Sequence, residues 1–113
     1  MKKVLLITTL LVSSAVMAPV AQADNLSLRI CEYVQANDKN RLRSFLKQNK
    51  LKIRKIFGDI TCNGDNVLIF AAKSKSLEVG EFLIGKLPSK KVKTEVEELS
   101  KYSAHLAEEA KER

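Results

Sequence analysis

From residue 25 onward, apolar residues recur every three or four positions, the spacing that places them on one face of an α-helix. The first of these patterns is formed by Leu26, Ile30, Tyr33 and Val34. Asp24 or Asn25 can cap the helix that it predicts, because short polar side chains accept hydrogen bonds from the first backbone N–H groups. Asn37-Asp38 ends this helix and offers a cap to the next one.

A second apolar pattern lies within a basic stretch of the chain. Its members are Leu42, Phe45, Leu46, Ile53, Ile56, Phe57 and Ile60. Asn49 falls on the same helical face and Leu51 falls off it, which interrupts the pattern. We therefore predict two short helices, at about residues 39–48 and 51–57, that are joined near Asn49. One continuous kinked helix is the alternative.

The chain is organised around residues 62–87. Asn63-Gly64 favours a turn, and Asp65 is suited to cap the helix that follows. Residues 67–72 are apolar on nearly every side, which is compatible with a buried strand or a buried helix. The two alanines that end this run favour the helix.

Another helix is expected after Ser76, which is placed to cap it. Its apolar face consists of Leu77, Val79, Phe82, Leu83 and Leu87. Pro88 follows at the position where a helix that has ended commonly has a proline.

The last segment has a basic linker at residues 89–93 and then a capping box, Thr94 with Glu97, that starts a C-terminal helix. The apolar stripe of this helix is narrow and comprises Val92, Val96, Leu99, Tyr102 and Leu106. The helix either docks on the core or swings free. Because its end is polar, we expect fraying after about Leu106.

These patterns predict an all-α fold of four to six short helices, arranged as two helical hairpins plus a C-terminal amphipathic helix. Residues 1–23 have the features of a cleaved bacterial signal peptide: Lys2 and Lys3, a short apolar core, and a small-x-small site ending at Ala23. An uncleaved anchor is the alternative. The expected organisation is therefore a helical domain at 24–90 and a charged C-terminal helix at 91–113, located in the periplasm or secreted.

The chain has two cysteines, Cys31 and Cys62. Because an exported protein meets an oxidising environment, we predict one disulfide between them. The chain-entropy model assigns such a bond roughly 3–4 kcal/mol of stability. Free thiols or a redox pair is the alternative, which the absence of a C-x-x-C motif disfavours.

A shift of 37 residues superimposes apolar positions of the two predicted hairpins. The matched pairs are Ile30 with Val67, Val34 with Ala71, Leu42 with Val79, Phe45 with Phe82, and Leu46 with Leu83. Each unit resembles a degenerate ankyrin or other helical-hairpin repeat, although the ankyrin period of about 33 and its T-P-L-H turn are absent.

Three further motifs accompany the signal peptide: Ile30-Cys31-x-Tyr33-Val34, Asp38-x-x-Arg41-Leu42-Arg43 and Ile60-x-Cys62-Asn63-Gly64. With them the mature chain resembles the small exported bacterial domains of unknown function. The resemblance implies a one-domain periplasmic protein and brings no catalytic residue with it.

The sequence contains no pattern typical of an enzyme, a metal site or a cofactor site. Two cysteines and one histidine cannot supply a usual structural zinc set, and His105 is expected to be a solvated residue on a charged helix. The Asn63-Gly64-Asp65 region lacks the ligand series of a calcium loop. A G-x-S-x-G motif and a Gly-rich phosphate loop are both missing.

Charge is distributed in blocks. The mature chain keeps all 13 acidic residues and loses only Lys2 and Lys3 of the 20 basic ones, which leaves a net charge of +5. Residues 39–55 contain no acidic residue, whereas residues 94–113 contain six acidic residues and three basic ones. The basic residues of the first block are Lys39, Arg41, Arg43, Lys47, Lys50, Lys52, Arg54 and Lys55.

One interpretation of this basic face is a solvated surface that the acidic helix partly neutralises. The other is a binding site for an acidic protein or an anionic envelope surface. Nucleic acid is disfavoured as a partner, because export separates the protein from it and no aromatic residues interleave with the basic residues. We therefore expect a non-enzymatic binding module that contacts an acidic partner. The alternative is a protein associated with the envelope or an anionic membrane surface, and an enzyme with an unrecognised site is the least favoured class.

Overall fold

The computed structural model describes residues 25–113, which fold into eight α-helices, one short 3-10 helix and one two-stranded hairpin. In chain order the elements are α1 (residues 25–35), α2 (Lys39–Gln48), α3 (Ile53–Ile56), the 3-10 helix (Phe57–Asp59), β1 (Thr61–Cys62), β2 (Asp65–Asn66), α4 (Val67–Lys73), α5 (Leu77–Lys86), α6 (Ser89–Lys93), α7 (Val96–Tyr102) and α8 (Ala104–Lys111). The predicted all-α class is confirmed, although the described residues contain more helices than the four to six expected. The predicted signal peptide and its cleavage site lie outside them.

The basic stretch forms two helices, α2 and α3, as predicted, and a single kinked helix is ruled out. The break is a left-handed turn at Lys50, whose φ is 54°. The N–H of Lys50 donates to the carbonyl of Lys47 (3.1 Å), and the N–H of Leu51 donates to that of Leu46 (2.8 Å). This pair of hydrogen bonds satisfies carbonyls that the end of α2 would otherwise leave without partners.

The same turn joins α1 to α2 and α4 to α5. Asn37 and Lys75 are the residues with positive φ, at 55° and 59°. In each turn the N–H of the following residue donates to a carbonyl of the preceding helix. The distance is 3.0 Å for Asp38 and 2.9 Å for Ser76. The two hairpins therefore share a backbone design, and the second turn lies one residue later than the shift of 37 predicts.

A two-residue turn closes the small β-hairpin. Asn63 and Gly64 have φ values of 55° and 84°, which is the backbone that an Asn-Gly pair adopts in hairpins. The turn places Asp65 opposite Cys62 in the ladder. The prediction that Asp65 caps the next helix is therefore wrong. Asn66 takes that role, and its side-chain oxygen accepts a hydrogen bond from the N–H of Ile69 (2.8 Å).

The cap of α5 comes from another part of the chain. Ser76 occupies the N-cap position, as predicted, but its hydroxyl donates to the carbonyl of Gln35 (3.4 Å). The Asn37 side chain accepts instead from the N–H of Val79 (3.0 Å). The turn of the first hairpin therefore packs against the start of the second.

The core is built around α4. Every residue from Val67 to Ala72 is buried, which confirms the buried helix and excludes the strand. Helices α5 and α7 and both β-strands contact α4. The remaining buried apolar residues come from all the other helices and include Ile30, Val34, Leu42, Leu46, Ile53, Val79, Leu83, Ile84, Val92, Leu99 and Leu106.

The C-terminal segment is divided into α6, α7 and α8, where one helix was predicted. The expected basic linker is helical, because residues 89–93 form α6. The expected capping box is absent: the Thr94 hydroxyl donates to the carbonyl of Lys91 (2.6 Å), and Glu95 holds the N-cap position of α7. Ser103 then adopts an extended backbone that separates α7 from α8, and its hydroxyl oxygen caps α8 by accepting from the N–H of Leu106 (3.2 Å).

Helix α8 is docked, so the expected fraying after Leu106 is wrong. Ala107 and Ala110 extend the buried face of the helix for another turn. The guanidinium of Arg113 donates to the carbonyls of Ile84 (3.0 Å) and Leu87 (2.7 Å) at the end of α5. No described helix has both the length and the apolar character that crossing a bilayer requires.

Cys31 and Cys62 form the predicted disulfide, with their Cα atoms 5.8 Å apart. The bond connects α1 to β1 and so ties the first hairpin to the segment that leads into α4. Of the order of 3–4 kcal/mol of stability follows from restricting the unfolded chain in this way. Free thiols are excluded for both residues, because neither cysteine is unbonded.

Helices α5 and α8 make their closest approach at Gly80. A Cβ atom at this position would lie 2.6 Å from Cδ1 and 2.8 Å from Cδ2 of Leu106. Leu106 is fully buried, so its side chain cannot move aside without disturbing the core. The absence of a side chain at Gly80 therefore sets the separation of the two helices.

We predict that Gly80→Ala destabilises the protein by about 1–3 kcal/mol, the usual cost of overpacking a core. Gly85→Ala is the matched control, because it lies in the same helix and its added Cβ has nothing within 4 Å. Since alanine is the better helix former, the control should stabilise by up to about 1 kcal/mol. The measurement is the free energy of unfolding from denaturant titration. Equal stability for the Gly80→Ala variant and the wild type would contradict the close approach.

Candidate functional site

An open groove of about 730 Å³ lies where α2 and α3 meet α5. Its lining residues are Asn40, Arg43, Ser44, Leu46, Lys47, Leu51, Lys52, Ile53, Arg54, Phe82, Gly85 and Lys86. The left-handed turn at Lys50 makes the groove possible, because it ends α2 and lets α3 run in a different direction. None of the lining residues is acidic.

The groove has an apolar floor. Leu46 and Ile53 are buried, and Leu51 and Phe82 are half-buried. These residues come from the end of α2, the link to α3, the start of α3 and the middle of α5. A partner that covers an apolar floor of this kind removes it from water, which stabilises the complex.

Cationic side chains surround the floor. Arg43 and Lys47 are one turn apart on α2, Lys52 and Arg54 lie at the start of α3, and Lys86 ends α5. The ammonium of Lys86 lies 5.8 Å from the ring centroid of Phe82. All five cations are exposed.

These five cations take no part in the ion pairs of residues 25–113. Those pairs are Arg41 with Asp38, Lys73 with Asp65, Lys101 with Glu98, His105 with Glu81, and Lys111 with Glu108. Two of the pairs hold acidic residues of α7 and α8 within their own helices. The interpretation that the acidic helix neutralises the basic face by direct pairing therefore has no support in the described residues.

Four of the eight basic residues singled out from the sequence line the groove: Arg43, Lys47, Lys52 and Arg54. The other four do not. Lys39 is half-buried at the start of α2, Arg41 pairs with Asp38 (3.5 Å), and Lys50 and Lys55 are exposed elsewhere.

Phe82 and Lys86 provide the α5 wall of the groove, which was not predicted from the sequence. They are four residues apart and so share a helical face. The hydrophobic pattern placed Phe82 on an apolar helix face, and the charge pattern limited the predicted site to residues 39–55. The helical spacing of the two residues was the available signal.

A second, polar hollow of about 570 Å³ lies beside the β-hairpin. Within it the Lys73 ammonium contacts the Asp65 carboxylate (2.9 Å) and lies 4.9 Å from the ring centroid of Tyr102. The hydrogen bond to Asp65 raises the pKa of Lys73 above its ordinary value. Because its charge is paired in this way, Lys73 is suited to holding the hairpin on α4 rather than to acid–base chemistry.

His105 is exposed on a charged helix, as expected, but it also has a partner on another helix. Its Nε2 atom contacts the Glu81 carboxylate across the α5–α8 interface. Glu109, one turn along α8, completes a cluster whose three ligand-type atoms lie within 4.8 Å of one another. The hydrogen bond that the Glu81 carboxylate accepts from His105 raises the pKa of His105 above its ordinary value. This cluster could not be predicted, because Glu81 is distant along the chain from His105 and Glu109.

Neither cysteine offers a free thiolate, because both are in the disulfide, and no buried polar side chain is left without a partner among the described residues. The most distinctive surface in the described part of the chain is the groove, in which cations surround an apolar floor.

The fold and the groove together define a small, disulfide-bonded, all-helical protein. The chain belongs to the DUF3718 family, described as a protein of unknown function, whose family model matches residues 30–94. The resemblance to small domains of unknown function is thereby confirmed, and the ankyrin-type similarity is not shown. No curated protein and no solved structure matched the chain. The matched residues contain both cysteines and the whole groove lining, whereas His105 and Glu109 lie beyond them.

The His105–Glu81 contact has a pH dependence that can be measured. Because the folded pKa of His105 is raised above the unfolded value of about 6.5, its contribution to stability is complete below that pH. The contribution is lost as pH rises through the folded pKa. We expect an NMR titration to give a pKa above about 6.5 for His105, and Glu81→Gln to lower it. Glu78→Gln, on the same helix, should leave the pKa unchanged. Identical titration curves for the wild type and Glu81→Gln would show that the contact is absent in solution.

Proposed function

We propose that this protein is a non-enzymatic binding module that holds an acidic partner protein in the groove between α2, α3 and α5. One observation carries the proposal: five exposed cations without an ion pair among the described residues surround an apolar floor. Positive potential focused at one place accelerates encounter with an acidic surface.

The chemistry of the lining defines the partner. Arg43 and Arg54 can each hold a carboxylate through two parallel hydrogen bonds, which lysines cannot do. The half-buried ring of Phe82 can pack against an apolar side chain. The partner segment should therefore carry carboxylates that flank one aliphatic or aromatic residue. The charges orient the partner segment and raise its association rate, and contact with the apolar floor contributes affinity.

We further propose that the protein works in the bacterial periplasm or outside the cell. The signal-peptide pattern of residues 1–23 supports this location. The Cys31–Cys62 bond supports it as well, because disulfides persist in oxidising compartments and are rare in the cytosol.

Intact mass spectrometry of protein recovered from the periplasm tests this location. The expected mass is that of a chain beginning at Asp24 and lighter by two hydrogens than its dithiol form. Addition of a reductant should restore the two hydrogens. A periplasmic fraction without the protein, or a full-length chain with free thiols in the cytosol, would refute the export proposal.

Charge reversal tests the groove. Arg43→Glu with Lys47→Glu should abolish capture of acidic periplasmic proteins by the immobilised protein, because like charges then face the partner. Lys90→Glu with Lys93→Glu is the matched control. It makes the same change in net charge on α6, away from the groove, and should retain the same captured proteins. Circular dichroism of both variants verifies folding.

Which variant loses the captured proteins decides between binding in the groove, a response to net charge, and adsorption to a membrane. Loss of the captured proteins in both variants indicates a response to net charge alone and overturns the groove. Unchanged capture by the groove variant overturns it too. The alternative, adsorption to an anionic membrane surface, predicts binding to phosphatidylglycerol vesicles that is strong at low salt and falls steeply at physiological salt. That binding without any captured acidic protein would replace the proposal by the alternative.

A further inference from the structure

We propose that Glu81, His105 and Glu109 form a binding site for a divalent transition-metal cation, with Zn²⁺ the best match. The site lies on the outer side of the α5–α8 interface and is independent of the groove. One imidazole nitrogen and two carboxylate oxygens are donors that zinc accepts in proteins. The three side chains leave the other coordination positions open to water, because all three reach the surface.

The spacing of the donors suits a single ion. One ligand atom from each residue lies within 4.8 Å of the others. Zinc binds nitrogen and oxygen at about 2.0–2.2 Å, so the exposed Glu81 and the half-buried Glu109 need only small side-chain rotations to bring their oxygens to bonding distance. The ion would replace the direct contact between the Nε2 atom of His105 and the Glu81 carboxylate.

The core holds the donor-bearing helices in place. His105 and Glu109 are four residues apart on α8 and therefore share one face. Glu81 follows Gly80, and His105 precedes Leu106, the two residues whose contact sets the distance between α5 and α8. Arg113 fixes the end of α8 to the last carbonyls of α5. The donors thus project from two helices that cannot slide past each other.

The local charge also favours a dication over the ion pair alone. Among residues 25–113, no lysine or arginine forms an ion pair with Glu81 or Glu109. A protonated His105 balances one of the two carboxylates and leaves the other unbalanced. A divalent cation on a neutral imidazole balances both, which is the arrangement in which exposed carboxylates and histidine bind metals.

The test is calorimetric titration of Zn²⁺ into the full chain, purified without a histidine tag and stripped of metal with a chelator. We expect one saturable site per chain. His105→Ala and Glu109→Gln should each weaken it by at least about tenfold, since even the loss of groups that only support metal ligands costs 10–100-fold. Glu112→Gln is the matched control: it removes an exposed carboxylate from the end of α8 and should leave the affinity unchanged.

A second readout identifies the donor directly. The ring signals of His105 in NMR spectra should shift on addition of Zn²⁺, and those shifts should vanish in Glu109→Gln at the same metal concentration. Absence of saturable binding overturns the proposal, as does equal affinity in the wild type and the two ligand variants. The groove variant Arg43→Glu with Lys47→Glu should bind Zn²⁺ as the wild type does. The metal site and the groove can therefore fail separately.

Discussion

The fold depends on the burial of α4. A helix of seven residues has too few hydrogen bonds to persist alone in water, and the one here has six consecutive buried residues, Val67 to Ala72. It must be covered on every side. Helices α5 and α7 supply part of that cover, and the β-hairpin closes the start of the helix. Asn66 connects both tasks, because it caps α4 and also donates from its side-chain amide to the Glu95 carboxylate (2.9 Å) at the start of α7.

Covering α4 has consequences on both sides of α5. On one side, α5 must approach α8 closely, which is possible only because Gly80 has no side chain to clash with Leu106. That approach is what brings Glu81 beside His105. On the other side, α5 meets α2 and α3, and there the cover is incomplete. Phe82 stays half-buried and becomes part of the groove floor. One helix thus contributes to the core, to the histidine cluster and to the groove.

The hydrophobic pattern was sufficient to predict the local elements. Periodicity correctly indicated α2, α3 and α5, because each buries one face. For α4, which is buried all round, the two alanines at its end decided between helix and strand. The disulfide could be predicted because the chain has two cysteines, each with one possible partner, and begins with a signal-peptide pattern. The joint at Asn49 could be predicted because a polar residue fell on an apolar face.

Features that depend on contacts between distant segments could not be predicted in this way. Val79 donates to Asn37 instead of to its local cap Ser76, a choice that only the packing of the two hairpins decides. The capping box at Thr94 failed because the chain there is already helical as α6. His105 looked solitary because a sequence does not show which helix lies opposite. The α5 wall of the groove was missed for the same reason.

The cations of the groove are not explained by stability. Arg43 and Lys47 are one turn apart, and like charges at that spacing cost a few tenths of a kcal/mol. The dipoles of α2 and α5 offset part of this cost, because Lys47 and Lys86 lie in the last turns of those helices. Acidic residues of α7 and α8 pair within their own helices, for example Glu98 with Lys101 (3.1 Å) and Glu108 with Lys111 (3.3 Å). This separation of charge leaves the five groove cations without an ion pair among the described residues, and the proposed binding of an acidic partner accounts for it.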